Sequence, residues 1–400
     1  MKKKIKYVLA VMVALCGICI TSCQEDNLDV LNPNDQKRFV NWRHVFESYW
    51  DGMNYSYAFW DVDPTDWNEV YREYAPQFDV LEFGVREDSI AAAKLFKAVC
   101  SNLIDHHYTL VLKDENGDYW AAFNPGEDEC KSRDYYHEKY SFEDIYKIIC
   151  QNKDLGRITN ETGVGFEDGF AIWSYLLDGD IVCLGLTSFH INSHIEHELV
   201  QEVMDNYYAL INETENLKGI IIDSRNNTGG LLNDMFAIVS PLLSEPVLFG
   251  YSRTKNGLGR LDYTPWSPMI LAPLDPEDNP VGRNLADVPV VALADINSIS
   301  MGEFTPMAIM ELPNGFFVGE RTAGGHGPLN NNINDYYAGE LESQAFRMYT
   351  STSMTKRVDG KCYEGIGVIP DIEALFDADE FYNGNDTQLD RAVRFIHTGK

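Results

Sequence analysis

The chain has 400 residues with 44% apolar and 12% aromatic side chains, so it has enough to bury for a folded protein and is not a disordered one. Its 62 acidic residues against 32 Lys and Arg give a formal charge of -30, which argues against nucleic acid as a partner and against adhesion to anionic lipid headgroups. At this length two or three domains are expected.

The first 23 residues read as an address. Lys2, Lys3, Lys4 and Lys6 form a basic start, and Tyr7 to Ile20 is an apolar stretch too short for a comfortable membrane span. Ile20-Thr21-Ser22-Cys23 resembles the bacterial lipoprotein lipobox, which implies a signal peptide over 1–22 and lipidation of Cys23. The acidic Gln24-Glu25-Asp26 resembles the export tag of surface lipoproteins in the Bacteroides group. The expected location is the bacterial cell envelope, outer membrane and surface included, with attachment by lipid and not by charge. Residues 23–38, with Asn32-Pro33-Asn34, read as a flexible tether.

Residues 39–107 read as a small helical domain. Trp42, Phe46, Tyr49 and Trp50 share one helix face, and Trp67, Val70, Tyr71 and Tyr74 repeat the spacing. Asp63-Pro64-Thr65-Asp66 separates the two, and a third helix starts near Ser89. Residues 108–180 form a strand-rich connecting region. From 181 to 400 the pattern is α/β. Ile181–Leu186, Gly219–Asp223, Val288–Leu293 and Gly315–Val318 read as buried strands, alternating with helices over His197–Asn212, Leu231–Leu243 and Met301–Leu312. Sites in such sheets lie at the carboxyl ends of the strands.

Two strand ends carry candidate chemistry. After Val290–Ala294 come Asp295-Ile-Asn-Ser-Ile-Ser-Met-Gly-Glu303, where Ser300 would begin a helix. The free N–H groups there favour developing negative charge, which suits a nucleophile, with the Met301 N–H as an oxyanion donor. Ser300-x-x-Glu303 is equally a capping box that does no more than start a helix. After Gly219–Asp223, the loop Ser224-Arg-Asn-Asn-Thr-Gly-Gly230 ends in Gly229 and Gly230, which can aim N–H groups at an oxyanion or simply turn the chain.

Taken in order, these segments resemble the carboxyl-terminal processing (tail-specific) serine peptidases. Gly219–Gly230 is similar to their glycine motif, and Ser298-Ile-Ser-Met-Gly-Glu303 to their Ser-Ala-Ser-Ala-Ser-Glu motif, with Ser300 at the nucleophile. Val318–Thr322, Glu364–Asp371 and Leu103–Thr109 match three further motifs. The resemblance implies a ClpP/crotonase-like core over 181–400. The usual lysine base is missing, because its position is Gly325, followed by His326. The tricorn-type branch uses a histidine and a glutamate instead, and these fall on His107 and Glu364. His106 stands where that branch has a serine, and His326 is the rival base.

The expected function is an envelope-anchored serine endopeptidase acting on unfolded or tail-exposed polypeptides. The alternative is a non-catalytic ligand- or peptide-binding lipoprotein on the same fold. Residues 108–180 number only 73 and carry no clear carboxylate-binding glycine loop, so a full PDZ module is not expected there. No cofactor and no required metal are expected: His190, His194 and His197 lack the HExxH spacing and suit an exposed helix start. Cys16, Cys19 and Cys23 belong to the address. The remaining five cysteines are widely spaced and odd in number, so they form no disulfide framework. Oligomeric state is not legible.

Overall fold

A computed structural model describes residues 39, 41–114, 116–329 and 338–400. The basic start, Cys23 and the tether lie outside the described residues.

Three amphipathic helices open the described chain: α1 (Trp42–Ser56), α2 (Trp67–Phe78) and α3 (Arg86–Cys100). Asn41 caps α1, and Asp66 caps α2 by accepting the N–H groups of Asn68 and Glu69. The aromatic stripe is core. Trp42, Phe46 and Tyr49 are fully buried, and the Trp50 and Trp67 indole N–H groups each donate to the other residue's carbonyl.

The strands of 108–180 divide between two sheets. β1 (Thr109–Lys113) and β2 (Tyr119–Phe123) join β11 (Glu340–Glu342) and β12 (Phe346–Tyr349) in an antiparallel sheet ordered β11-β12-β1-β2. That sheet shares a hydrophobic core with α1–α3. Between the two sheets run α4 (Pro125–Lys131) and α5 (Phe142–Asp154), the latter started by a Ser141/Asp144 capping box. The hairpin of β3 (Ile158–Gly165) and β4 (Ala171–Leu177) then forms one edge of the main sheet.

The main sheet has the order β14-β10-β9-β6-β5-β4-β3. Five of its strands are parallel: β5 (Ile181–Leu186), β6 (Gly219–Asp223), β9 (Val290–Ala294), β10 (Gly315–Gly319) and β14 (Ile372–Glu373). Both faces are covered, which is why β5, β6 and β9 read as unbroken apolar runs. Alternation sends Ile220 and Ile222 to the face of α6 (Glu198–Glu213), α7 (Leu232–Val239) and α8 (Met301–Ile309). Ile221 faces α5 and the C-terminal helix α10 (Thr387–Thr398), which follows the short α9 (Ala378–Tyr382). A separate antiparallel sheet, β13-β7-β8, consists of β7 (Val247–Thr254), β8 (Ser267–Leu271) and β13 (Ser353–Lys356).

The helices at the strand ends are shorter than the sequence spacing predicts. α7 stops at Val239, where Pro241 turns the chain into a short 3-10 segment, and α8 stops at Ile309. His194 and His197 precede α6 and do not lie on it. His194 hydrogen-bonds Asp168 and packs against Phe166 and Phe170. The five cysteines in the described residues are free thiols.

Candidate active site

Ser300 follows β9 and stands at the start of α8 in a left-handed backbone conformation, φ 59° and ψ -123°. A non-glycine residue holds such angles only when its surroundings enforce them. Here the Ser300 N–H donates to the Gly325 carbonyl at 3.0 Å, and the Ile299 N–H to the Asn227 carbonyl at 2.9 Å. The capping-box reading of Ser300-x-x-Glu303 does not hold, because the Ser300 hydroxyl caps no backbone N–H. The buried Glu303 carboxylate turns elsewhere: it accepts the Thr322 hydroxyl and the N–H groups of Gly324 (2.8 Å) and Gly325 (2.6 Å). It therefore holds the glycine loop against which the serine backbone rests.

The loop after β6 is fixed residue by residue. Arg225 is buried between the Asp223 and Asp386 carboxylates, each at 2.7 Å. Asn226 has φ 56°, and its N–H donates to Asp295. Asn227 donates to the Leu186 carbonyl and accepts the Gly229 N–H at 2.8 Å. This last bond corrects the expectation for Gly229: its N–H is already committed, so it is not an oxyanion donor. Gly229 serves through its missing side chain. At φ 92°, a Cβ there would lie 2.5 Å from Ser300 Cβ and 2.9 Å from Ser300 Oγ. The N–H groups of Gly230 and Met301 make no hydrogen bond among the described residues, so neither is committed as that of Gly229 is.

His107 is positioned by the segment that ends the helical region. Its N–H donates to Asp105 Oδ1 at 2.9 Å, and Asp105 is anchored by the Ser351 N–H and hydroxyl. The imidazole packs on Gly325, with His107 Cε1 3.1 Å from where a Cβ of that glycine would stand. Gly325 is thus the shared neighbour of the His107 ring and of the Ser300 backbone. Neither ring nitrogen of His107 has a hydrogen-bond partner among the described residues. Burial pushes the imidazole down to about 3, and the His106 and His326 rings act in the same direction.

Glu364 is buried beneath both candidate bases. Its two oxygens accept the backbone N–H groups of His106 (2.9 Å) and His326 (2.7 Å). One of its oxygens also lies within 4.8 Å of a His107 ring nitrogen and an Asp105 oxygen, without a Glu364–His107 hydrogen bond. Burial and the neighbouring Asp105 drive the Glu364 carboxyl well up, against the pull of the two N–H groups. Burial likewise raises Asp105 to about 6.

His326 and His106 stand against other groups. His326 is 1% exposed, and its Nε2 lies 3.8 Å from Glu303 Oε1. His106 directs Nδ1 to the Ala323 carbonyl at 2.8 Å. Arg133 binds the same carbonyl at 2.9 Å and that of Thr322 at 2.7 Å. Together they clamp the segment that runs into Gly324 and Gly325. Sequence reading missed Arg133, Asn227 and Asp105 as site-builders. Only Asp105 and Asn227 carry a signal, since each falls inside a quoted motif.

Two groups of ligand-type side chains each bring their atoms within 4.8 Å among the described residues. In Asp105–His107–Glu364, every carboxylate oxygen already accepts a hydrogen bond. In His106–Glu129–Cys130, the Arg133 guanidinium is 2.6 Å from Glu129, which opposes a second cation. Neither arrangement calls for a metal.

Comparison with known proteins supplies the context. The peptidase family S41 profile matches residues 180–374. A nisin-resistance protein of Lactococcus lactis subsp. lactis is 27% identical over 165 residues, covering 40% of this chain. The match spans 46% of that relative, about half its length. The crystal structure of a candidate peptidase from Parabacteroides merdae ATCC 43184 superposes with a TM-score of 0.63 at 23% identity, covering 90% of this chain and 98% of that one. Mature CPAF superposes with a TM-score of 0.55 at 13% identity, covering 90% and 98%. These two likenesses show a shared fold. The span that matches the family starts one residue before β5 and ends one after β14, so it takes in every parallel strand leading to Ser300. Over residues 180–374 the chain matches peptidase family S41, whose members it resembles in fold as well.

Proposed function

We propose that this protein is an envelope-anchored serine endopeptidase that cleaves unfolded or tail-exposed polypeptides through an acyl-enzyme. The observation that carries the reading is the Ser300 hydroxyl: it caps nothing, sits on an enforced left-handed turn, and borders a glycine whose side-chain space it fills. Ser300 Oγ attacks the scissile carbonyl carbon, and its proton passes to the neutral His107 imidazole. The carbonyl oxygen becomes an oxyanion that the Met301 and Gly230 N–H groups receive. Collapse expels the amine, which takes the proton from His107, and water then releases the acyl group by the same route. Glu364 acts as a positioning residue, tying the His106–His107 and Gly325–His326 segments together. The membrane attachment rests on the lipobox-like residues ending at Cys23, and no helix among the described residues is long and apolar enough to cross a membrane.

The reading is tested with the form that begins after Cys23. It should digest unfolded casein, and Ser300→Ala should lower turnover by at least about 10⁴-fold. Equal digestion by both forms would refute it.

A pH profile tests the base. Because the His107 imidazole is depressed, its neutral, proton-accepting form persists as pH falls. The acid limb of kcat/KM is expected below pH 5, more than a unit under the ordinary imidazole value of about 6.5. Asp105, raised by burial to about 6, would give a limb of its own that Asp105→Asn removes, whereas complete loss of activity along a limb at about 6.5 that survives in Asp105→Asn would point to a solvated histidine in place of His107.

A further inference from the structure

We propose that the cavity of about 920 Å³ on the Thr228 side of Ser300 is a substrate subsite that takes an aromatic or large aliphatic side chain of the bound peptide. The inference rests on Ser300 as nucleophile and adds the substrate class.

Position is the first argument. The cavity is lined by Thr187, Ser188 and His190 from the loop after β5, and by Asn226 and Thr228 from the loop after β6. The same two loops build the frame of the nucleophile. The Thr228 N–H donates to the Thr187 carbonyl at 3.0 Å, the Phe189 N–H to the Gly229 carbonyl at 2.7 Å, and the Leu231 N–H to the Phe189 carbonyl at 2.8 Å. Gly229 in turn touches Ser300. A peptide laid across Ser300 with its carbonyl between Gly230 and Met301 therefore has this cavity beside it.

Chemistry is the second. Part of the lining is aromatic, made of Phe142, Tyr146, Phe166 and Phe170. Their rings pair at centroid distances of 5.9 Å (Phe142–Tyr146) and 5.7 Å (Phe166–Phe170). Tyr146 is 47% exposed and Phe142 and Phe166 are half-buried, so the protein leaves part of this apolar surface uncovered. Covering it with an apolar side chain removes that surface from water, and ring edges and faces add their own attraction. The size lies in the range of pockets that enclose a small-molecule ligand, enough for a large side chain with its flanking backbone.

Charge is the third. At the rim, Lys147 is engaged with Asp144 and Asp168 with His194. That leaves Glu143 and Glu167 against Lys139, in a chain of formal charge -30. An acidic side chain is disfavoured here, so the subsite selects apolar over acidic residues.

The test maps by mass spectrometry every bond cut in unfolded casein by the form beginning after Cys23, and by its Tyr146→Ala and Phe166→Ala variants. Fluorophosphonate labelling of Ser300 is measured in all three. The wild type should enrich Phe, Tyr, Trp, Leu or Met at one fixed position near the cut. A peptide pair differing there only as Phe against Ala should show a kcat/KM ratio that falls at least 10-fold in each variant. Tyr146 lies on the rim, so its truncation leaves the core intact if Phe166→Ala fails to fold. No enrichment in a labelled wild type, or a ratio unchanged in Tyr146→Ala, overturns the subsite while leaving the Ser300 reading standing. Absence of labelling together with absence of cleavage fails the Ser300 reading itself, and the subsite with it.

Discussion

His107→Ala should reduce kcat/KM on unfolded casein by about 10³- to 10⁴-fold, the range set by loss of a general base. The matching loss in His326→Ala should stay under about 10-fold. The difference follows from where each ring stands. His107 packs on Gly325, the residue whose carbonyl holds the Ser300 N–H; the ring nitrogens of both histidines are unspent among the described residues, so position alone separates them. His326 is buried with its Nε2 3.8 Å from Glu303 Oε1 and its ring edge-on to Phe304. Its removal leaves a cavity, so the expected cost falls on stability. Steady-state kinetics of both variants with a thermal melt of each separates the two outcomes. Full activity in His107→Ala with loss in His326→Ala would reverse the assignment.

Gly229→Ala should cut turnover at least 10²-fold and destabilise the fold by about 1–3 kcal/mol. Two independent effects combine. A side chain at φ 92° is strained wherever it stands. This one would also meet Ser300 Cβ at 2.5 Å and Oγ at 2.9 Å, so the nucleophile or the loop must move. A displacement of about 1 Å at a reacting atom is enough to lose two orders of magnitude. Because the neighbouring Asn227 side chain accepts the Gly229 N–H, the loop has little freedom to yield. Asn227→Ala offers a contrast: it frees the loop without filling the serine's space, so it should weaken catalysis less than the added methyl does. Turnover measured beside a denaturation curve reads both effects, and a fully active Gly229→Ala would show that the serine does not work in this position.

Much of the catalytic core was legible because its physics is local. β5 and β6 run over the residues read as strands, since a parallel strand buried on both faces has to be continuously apolar. The break from apolar β9 into Asp295–Ser300 marks a strand end for the same reason. Other features depended on partners far along the chain. β1 pairs with β12, more than 200 residues away, and nothing in either sequence names the other. The role of Glu303 was hidden by its spacing: three residues after a serine it imitates a cap, and only the folded chain shows it gripping Thr322, Gly324 and Gly325. Gly229 was misread as a donor because sequence reports that a glycine can turn its N–H outward, and not whether a neighbouring Asn has already taken it. Arg133 gave no signal, because its clamp on Thr322 and Ala323 exists only once α4 has docked beside that segment.

The most direct test of Ser300 as nucleophile is covalent. The form beginning after Cys23 is treated with a fluorophosphonate, digested, and the modified peptide identified by mass spectrometry. One adduct is expected, on Ser300, absent from Ser300→Ala and sharply slowed in His107→Ala. An adduct on another serine, or a folded protein that neither labels nor cleaves casein, would contradict the account.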